Sequence, residues 1–282
     1  MTFLDKLAEA QSHNRSWLCL GLDPVLAKMP LPLHKEDDPL LPFNKAMIDA
    51  TADLVCAYKP NLAFYLAEGA AGLIALERTI AYIPDHIPII LDGKFGDIGS
   101  TAAGIARGAF EVWGVDAVTV NPYVGEDGVA PFLQRPDKAA FVLARTSNPG
   151  AADFQTQHLS LPPGGGGPVT LADLVVQRAL AWNAKYPGTC GLVVGATAPE
   201  ALARLRALAP DLPFLIPGIG AQGGDLAASV RYGPTRSGVG PIIAVSRAIL
   251  FASSRPDYVE AARAAARQLR DQINALREAN TA

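Results

Sequence analysis

Short apolar runs recur along the chain at 17–22, 57–64, 87–91, 117–121, 139–144, 190–195, 214–217 and 241–245, each stopped by Gly, Pro or polar residues. They are nearly continuous in apolar character, the signature of strands covered on both faces, and they lack the strict alternation of a half-exposed sheet. Between them apolar residues return at helical spacing over 43–56, 68–82, 100–113, 171–185 and 199–209, and a long helix from about 257 to 278 closes the chain. Residues 3–9 read as an amphipathic helix. Eight buried strands, each followed by a helical crossover, predict an α/β fold of one kind, a single (β/α)8 TIM barrel spanning residues 1–282.

Two stretches interrupt the alternation, a Pro-rich segment with a short acidic run at 25–42 and a segment at 148–168 that ends in four glycines, 164–167. Both are read as loop insertions after strands. The glycine run lacks the Gly-Lys-Ser/Thr ending of a phosphate loop and reads as a tether. Thr170 with Asp173 reads as the capping pair of the helix that follows.

Half of the chain is hydrophobic and 18% is charged, which excludes a disordered chain. The formal net charge is −3 and the basic residues are scattered, so no electrostatic footprint for nucleic acid or an anionic membrane is present. No apolar run approaches the roughly 18 residues of a membrane span, and the N-terminus lacks the pattern of a signal peptide, so a cytoplasmic protein is expected. Cys19, Cys56 and Cys190 lie far apart in apolar stretches, as reduced, buried thiols without metal-ligand spacing would. The four histidines form no pattern with Ser or Asp.

Candidate chemistry gathers at the strand ends. In 89–98 an apolar strand runs straight into Asp92, Lys94 and Asp97. Alternate residues of a strand share a face, so Asp92 and Lys94 point together and, at the C-terminal mouth of a barrel, inward. Their plainer role is an ion pair at a strand end. Asp97 can reach the mouth, a neighbouring subunit, or the start of the next helix as a cap. Asp23, Lys59 and Asn121 stand at three other strand ends, although Asp23 before Pro24 and Asn121 before Pro122 also suit turns. The last two strands run into the glycine-rich 217–224 turn and Ser246-Arg247, where barrels commonly hold phosphate. There Gln222 offers a neutral donor and Arg247 a bidentate cation. Gly218, Gly220 and Gly223 also satisfy a dinucleotide-binding spacing, but only one strand and a terminal helix remain after them, too little for that fold.

The run Asp92-Gly93-Lys94-Phe95-Gly96-Asp97-Ile98, Lys59 within Lys-Pro-Asn, and the 217–224 turn together resemble the orotidine 5′-phosphate decarboxylase family over nearly the whole chain, in particular its longer bacterial branch. That resemblance implies a homodimer with no metal or organic cofactor that converts orotidine 5′-monophosphate to UMP and carbon dioxide in pyrimidine synthesis. It assigns Lys59, Asp92, Lys94 and Asp97 to an alternating charged tetrad, with Asp97 supplied by the other subunit and Thr101 following it into the neighbour's site. Asp23 matches the ribose-binding aspartate, Ser147 in Thr146-Ser147-Asn148-Pro149-Gly150 the serine that reads the pyrimidine, and Gln222 and Arg247 the phosphate ligands. Ser246 departs from the glycine expected before that arginine. The Asp-x-Lys-x-x-Asp motif is also similar to that of magnesium-dependent sugar-phosphate barrels such as hexulose phosphate synthases. Those relatives are expected to carry a carboxylate metal ligand on the second strand, where Lys59 would repel magnesium. A non-catalytic phosphosugar-binding regulator on the same scaffold is the remaining reading, and it has no need of Lys94 between two carboxylates.

Overall fold

The computed structural model describes every residue except 37, 160–168, 221 and 282, so the 164–167 glycine run lies outside the described residues. Eight parallel strands form the barrel: β1 Leu18–Leu22, β2 Ala57–Pro60, β3 Ile90–Phe95, β4 Ala117–Val120, β5 Ala139–Arg145, β6 Thr189–Val194, β7 Phe214–Pro217 and β8 Pro241–Val245. Strands next to each other in sequence pair, except β2 with β3, and β1 pairs with β8. Two bridges, Tyr58 to Ile89 and Asn61 to Asp92, join β2 to β3 and bring the sheet nearly to closure. The expected (β/α)8 architecture is therefore the fold observed.

Strand alternation divides the core. Leu18, Leu20, Tyr58, Leu91, Val118, Val142, Leu192, Ile216 and Ile243 pack outward against the helices. Cys19, Ala57, Ile90, Ala117, Phe141, Val193, Leu215 and Ile242 pack inward, where Phe3 and Leu7 of the first helix, Phe3–His13, join them. Phe3 meets Phe141 edge to face at 5.6 Å. One strand end of the barrel interior is thus filled by apolar side chains. The inward parity continues toward the other end as Gly21 and Asp23, Lys59, Asp92, Thr119 and Ser246, the polar residues of the mouth.

Several boundaries differ from the sequence pattern. The apolar run at 57–64 stops being a strand at Pro60, because the Asn61 side chain accepts from the Ala63 N–H and starts the short helix Leu62–Leu66. In contrast, β3 runs past residue 91 into the charges and ends at Phe95. The helix expected over 43–56 spans Leu40–Thr51. It starts early because Pro42 sits in the first turn, where a missing N–H costs nothing. Thr170 and Asp173 form the expected reciprocal cap of Leu171–Lys185. No described helix is long and apolar enough to cross a membrane, and Cys19, Cys56 and Cys190 are buried free thiols.

Candidate active site

Asp92 is the hub of the mouth. Its Oδ2 accepts from Lys59 Nζ at 2.9 Å, and its Oδ1 accepts from Lys94 Nζ at 2.6 Å and from the Thr119 hydroxyl at 2.9 Å. Lys59 and Asp92 are buried, whereas the Lys94 side chain is half exposed, so this ammonium faces the open mouth. Burial alone would raise the Asp92 carboxyl, but the Lys59 and Lys94 ammonium groups outweigh it and hold that carboxyl well below the usual carboxylate range. For Lys59, burial works against the charge, and Asp92 with a further contribution from Asp23 overcomes it and pushes the ammonium well above its usual range. The cluster holds a fixed negative charge between two cations.

The local backbone explains how residues two apart on one strand meet at one carboxylate. Leu91 pairs with Val118 and Phe95 with Val120, which leaves Asp92, Gly93 and Lys94 opposite Thr119 alone. The strand therefore bulges. Phe95 folds back over position 93 so closely that a Cβ there would lie 2.2 Å from its ring, and any side chain at 93 would have to displace that ring. Lys94 takes φ +46°, a left-handed conformation that costs a residue with a side chain about 1 kcal/mol or more.

Asp97 stands apart. It is exposed, its carboxylate accepts from the Ile98 N–H at 2.8 Å, and the helix Gly99–Arg107 has no side-chain cap from it. Thr101 lies exposed on that helix. Neither joins the cluster within its own chain. Asn121 takes the turn role weighed for it, its side chain accepting from the Tyr123 N–H.

A second group of residues occupies the β1, β5, β7 and β8 ends. Ser147 donates to Gln222 Oε1 at 3.0 Å, which leaves the Gln222 amide N–H groups to donate elsewhere. The 217–224 turn closes through Gly224 N–H to the Gly218 carbonyl at 2.9 Å. Arg247 is exposed, at the start of the four-residue helix Arg247–Leu250, and makes no ion pair among the described residues. Asp23 Oδ1 and Ser246 Oγ are buried with no hydrogen-bond partner among the described residues. Both converge on Gly21, where a Cβ would lie 2.8 Å from Ser246 Cβ and 3.2 Å from Asp23 Oδ2. The serine that departs from the expected glycine is accommodated by a glycine on the neighbouring strand.

Thr119 and the bulge were missed by sequence reasoning. The available signal was a hydroxyl residue in the otherwise aliphatic Ala117–Val120 strand, in phase with inward Ala117. A cavity of about 870 Å³ lined by Tyr123, Phe154, Leu174 and Trp182 lies to one side and contains none of Lys59, Asp92 or Lys94. The charged cluster therefore lies outside that cavity, at the β2, β3 and β4 ends.

The model of the orotidine 5′-phosphate decarboxylase / HUMPS family matches residues 16–265. The chain is 50% identical over 279 residues to the orotidine 5′-phosphate decarboxylase of Thermomicrobium roseum, covering 99% of this chain and 97% of that protein. It is 49% identical over 261 residues to that of Herpetosiphon aurantiacus, covering 93% and 94%. The structure of Leishmania donovani OMP decarboxylase superimposes with a TM-score of 0.83 at 41% identity, covering 99% of both chains.

Proposed function

The chain belongs to the orotidine 5′-phosphate decarboxylase / HUMPS family, and from that membership we infer that it is a carboxy-lyase converting orotidine 5′-monophosphate to UMP and carbon dioxide in pyrimidine biosynthesis. The observation that carries this reading is the Lys59–Asp92–Lys94 array, with a lysine on β2 bonded to the aspartate of β3. A cation at that position disfavours the magnesium-dependent branch. In the reaction the bond from C6 to the carboxyl carbon breaks, carbon dioxide leaves, and the electron pair stays in an sp² orbital on C6. Lys94, the exposed end of the array, is in this reading the cation that stabilises the pair and then delivers a proton from Nζ to C6. Asp92 holds Lys94, and Lys59 holds Asp92.

The other assignments belong to the same reading. Asp23, whose buried Oδ1 has no partner among the described residues, accepts from the ribose. Ser147 and Gln222 lie side by side to bind pyrimidine and phosphate, and Arg247 pairs with the phosphate. Binding energy from that remote phosphate orients the reacting ring. The enzyme works as a homodimer in which Asp97 and Thr101 complete the partner's site. In support, Asp97 has no bond to its own cluster among the described residues, and Ile98, Tyr123 and Phe154 are 54%, 86% and 65% exposed, apolar side chains that a second copy would cover. Three buried reduced thiols fit the cytoplasm.

The decisive experiment is loss of orotidylate absorbance on mixing the substrate with purified protein and EDTA. Undiminished turnover in EDTA is expected. Turnover that needs added magnesium, or UMP binding without turnover, overturns the reading in favour of the magnesium enzymes or a regulator respectively. The shared site is tested by refolding Lys94→Ala and Asp97→Ala proteins together: about half the dimers are mixed and half their sites intact, so activity recovers to roughly a quarter of parent. Mixed dimers without activity overturn it.

A further inference from the structure

We propose that Thr119 is a positioning residue that fixes Lys94 at both of its ends, and that the turnover step depends on its hydroxyl. The inference rests on the decarboxylase reading above. In the β3 bulge three residues face one, so the Lys94 N–H has no ladder carbonyl to meet. It donates instead to Thr119 Oγ1 at 2.9 Å. With that lone pair engaged, the hydroxyl hydrogen is donated to Asp92 Oδ1 at 2.9 Å. The same Oδ1 accepts from Lys94 Nζ at 2.6 Å. A closed ring results, running from the Lys94 backbone through Thr119 and Asp92 back to the Lys94 ammonium.

Each part of the ring answers a physical need. Lys94 sits at φ +46°, and a backbone in that region persists only when its surroundings hold it. The Thr119 side chain is 1% exposed and packed on a strand, so its hydroxyl has one available position and cannot be replaced by water. Oδ1 receives two donors from opposite ends of the ring, which fixes the carboxylate plane and with it the direction in which Lys94 Nζ points. A proton donor must be held within a fraction of an ångström of its target, and substrate binding does not require this. The hydroxyl therefore acts on turnover and leaves affinity largely untouched.

Thr119→Val keeps the shape and removes the hydroxyl, while Thr119→Ser keeps the hydroxyl and removes the methyl. Relative to parent, Thr119→Val is expected to lower kcat by roughly 10- to 100-fold, the loss of one or two hydrogen bonds to charged or strained groups, with UMP affinity within about threefold. Thr119→Ser is expected to retain kcat within about threefold of parent. Should the valine protein not fold, Thr119→Ala is compared with Thr119→Ser in its place. A hydroxyl-free variant with kcat near parent, or a serine variant as slow as the hydroxyl-free one, overturns the proposal; the second result assigns the effect to methyl packing. Amide hydrogen exchange at Lys94 gives a reading independent of turnover. It is expected to be about tenfold or more faster in the hydroxyl-free variant than in Thr119→Ser, and equal rates overturn the proposal. An inactive parent would refute the decarboxylase reading while leaving this exchange comparison intact.

Discussion

The two halves of the barrel mouth are built on opposite terms. On the β2, β3 and β4 side every charged or hydroxyl group at the centre has its partner: Lys59, Lys94 and Thr119 all bond Asp92. Across the mouth, and among the described residues, the buried Asp23 Oδ1 and Ser246 Oγ have no hydrogen-bond partner and the exposed Arg247 has no ion pair. A satisfied cluster is preorganised, because its groups need not rearrange when charge develops beside them. Polar groups that the chain itself leaves unbonded are free to bond a polar ligand. The proposed function accordingly gives chemistry to the first half and recognition to the second.

Lys94→Ala is the most severe way to break that division. Turnover should fall by at least about a thousandfold, near 4 kcal/mol of transition-state stabilisation, while UMP still binds. Parallel losses in kcat and in UMP affinity, measured by single-turnover kinetics and titration, would erase the contrast. Arg247→Ala should do the reverse, weakening every 5′-phosphorylated ligand by roughly 2–5 kcal/mol once the pair it forms is desolvated. Equal UMP affinity in mutant and parent removes Arg247 from the site.

The paired half also makes a stability prediction with a definite pH window. The Asp92 carboxyl is lowered in the fold, so its contribution is complete above the unfolded value, about 4, and is lost only as the pH falls toward the lowered one. The Lys59 ammonium is raised, so its contribution is complete below about 10.4 and is lost as the pH rises through the raised value. Asp92→Asn should therefore destabilise by about 3–5 kcal/mol, with the difference from parent flat between roughly pH 5 and 7. A difference in denaturant midpoints that declines from pH 7 to pH 5 contradicts the pairing. The smallest effect is expected on the open half, where Ser246→Ala removes a buried hydroxyl that lacks a partner. Stability of the free protein should change by no more than about 1 kcal/mol, and a larger fall would show that the hydroxyl is bonded in solution.

Most of the barrel was legible in the chain. Eight apolar runs ended near the observed strands, and polar residues at their ends marked the mouth, because strand parity and burial are written in neighbouring residues. Lys59, Asp92 and Lys94 were identified together on that basis and through family resemblance, and the structure brings them together. Asp97 and Thr101 remain apart from the cluster in their own chain.

What the sequence by itself determined was the order of strands and helices, the side of each strand that turns inward, and which strand ends carry charge. All three follow from local periodicity, which acts over a few residues. Tertiary structure alone decided the β3 bulge, the left-handed Lys94, the contact of Thr119 with a backbone 25 residues away, and the fit of Ser246 against Gly21 across β1 and β8. The register of one strand against another is set where both have packed, by contacts between residues far apart in the chain, and no pattern within either strand records it.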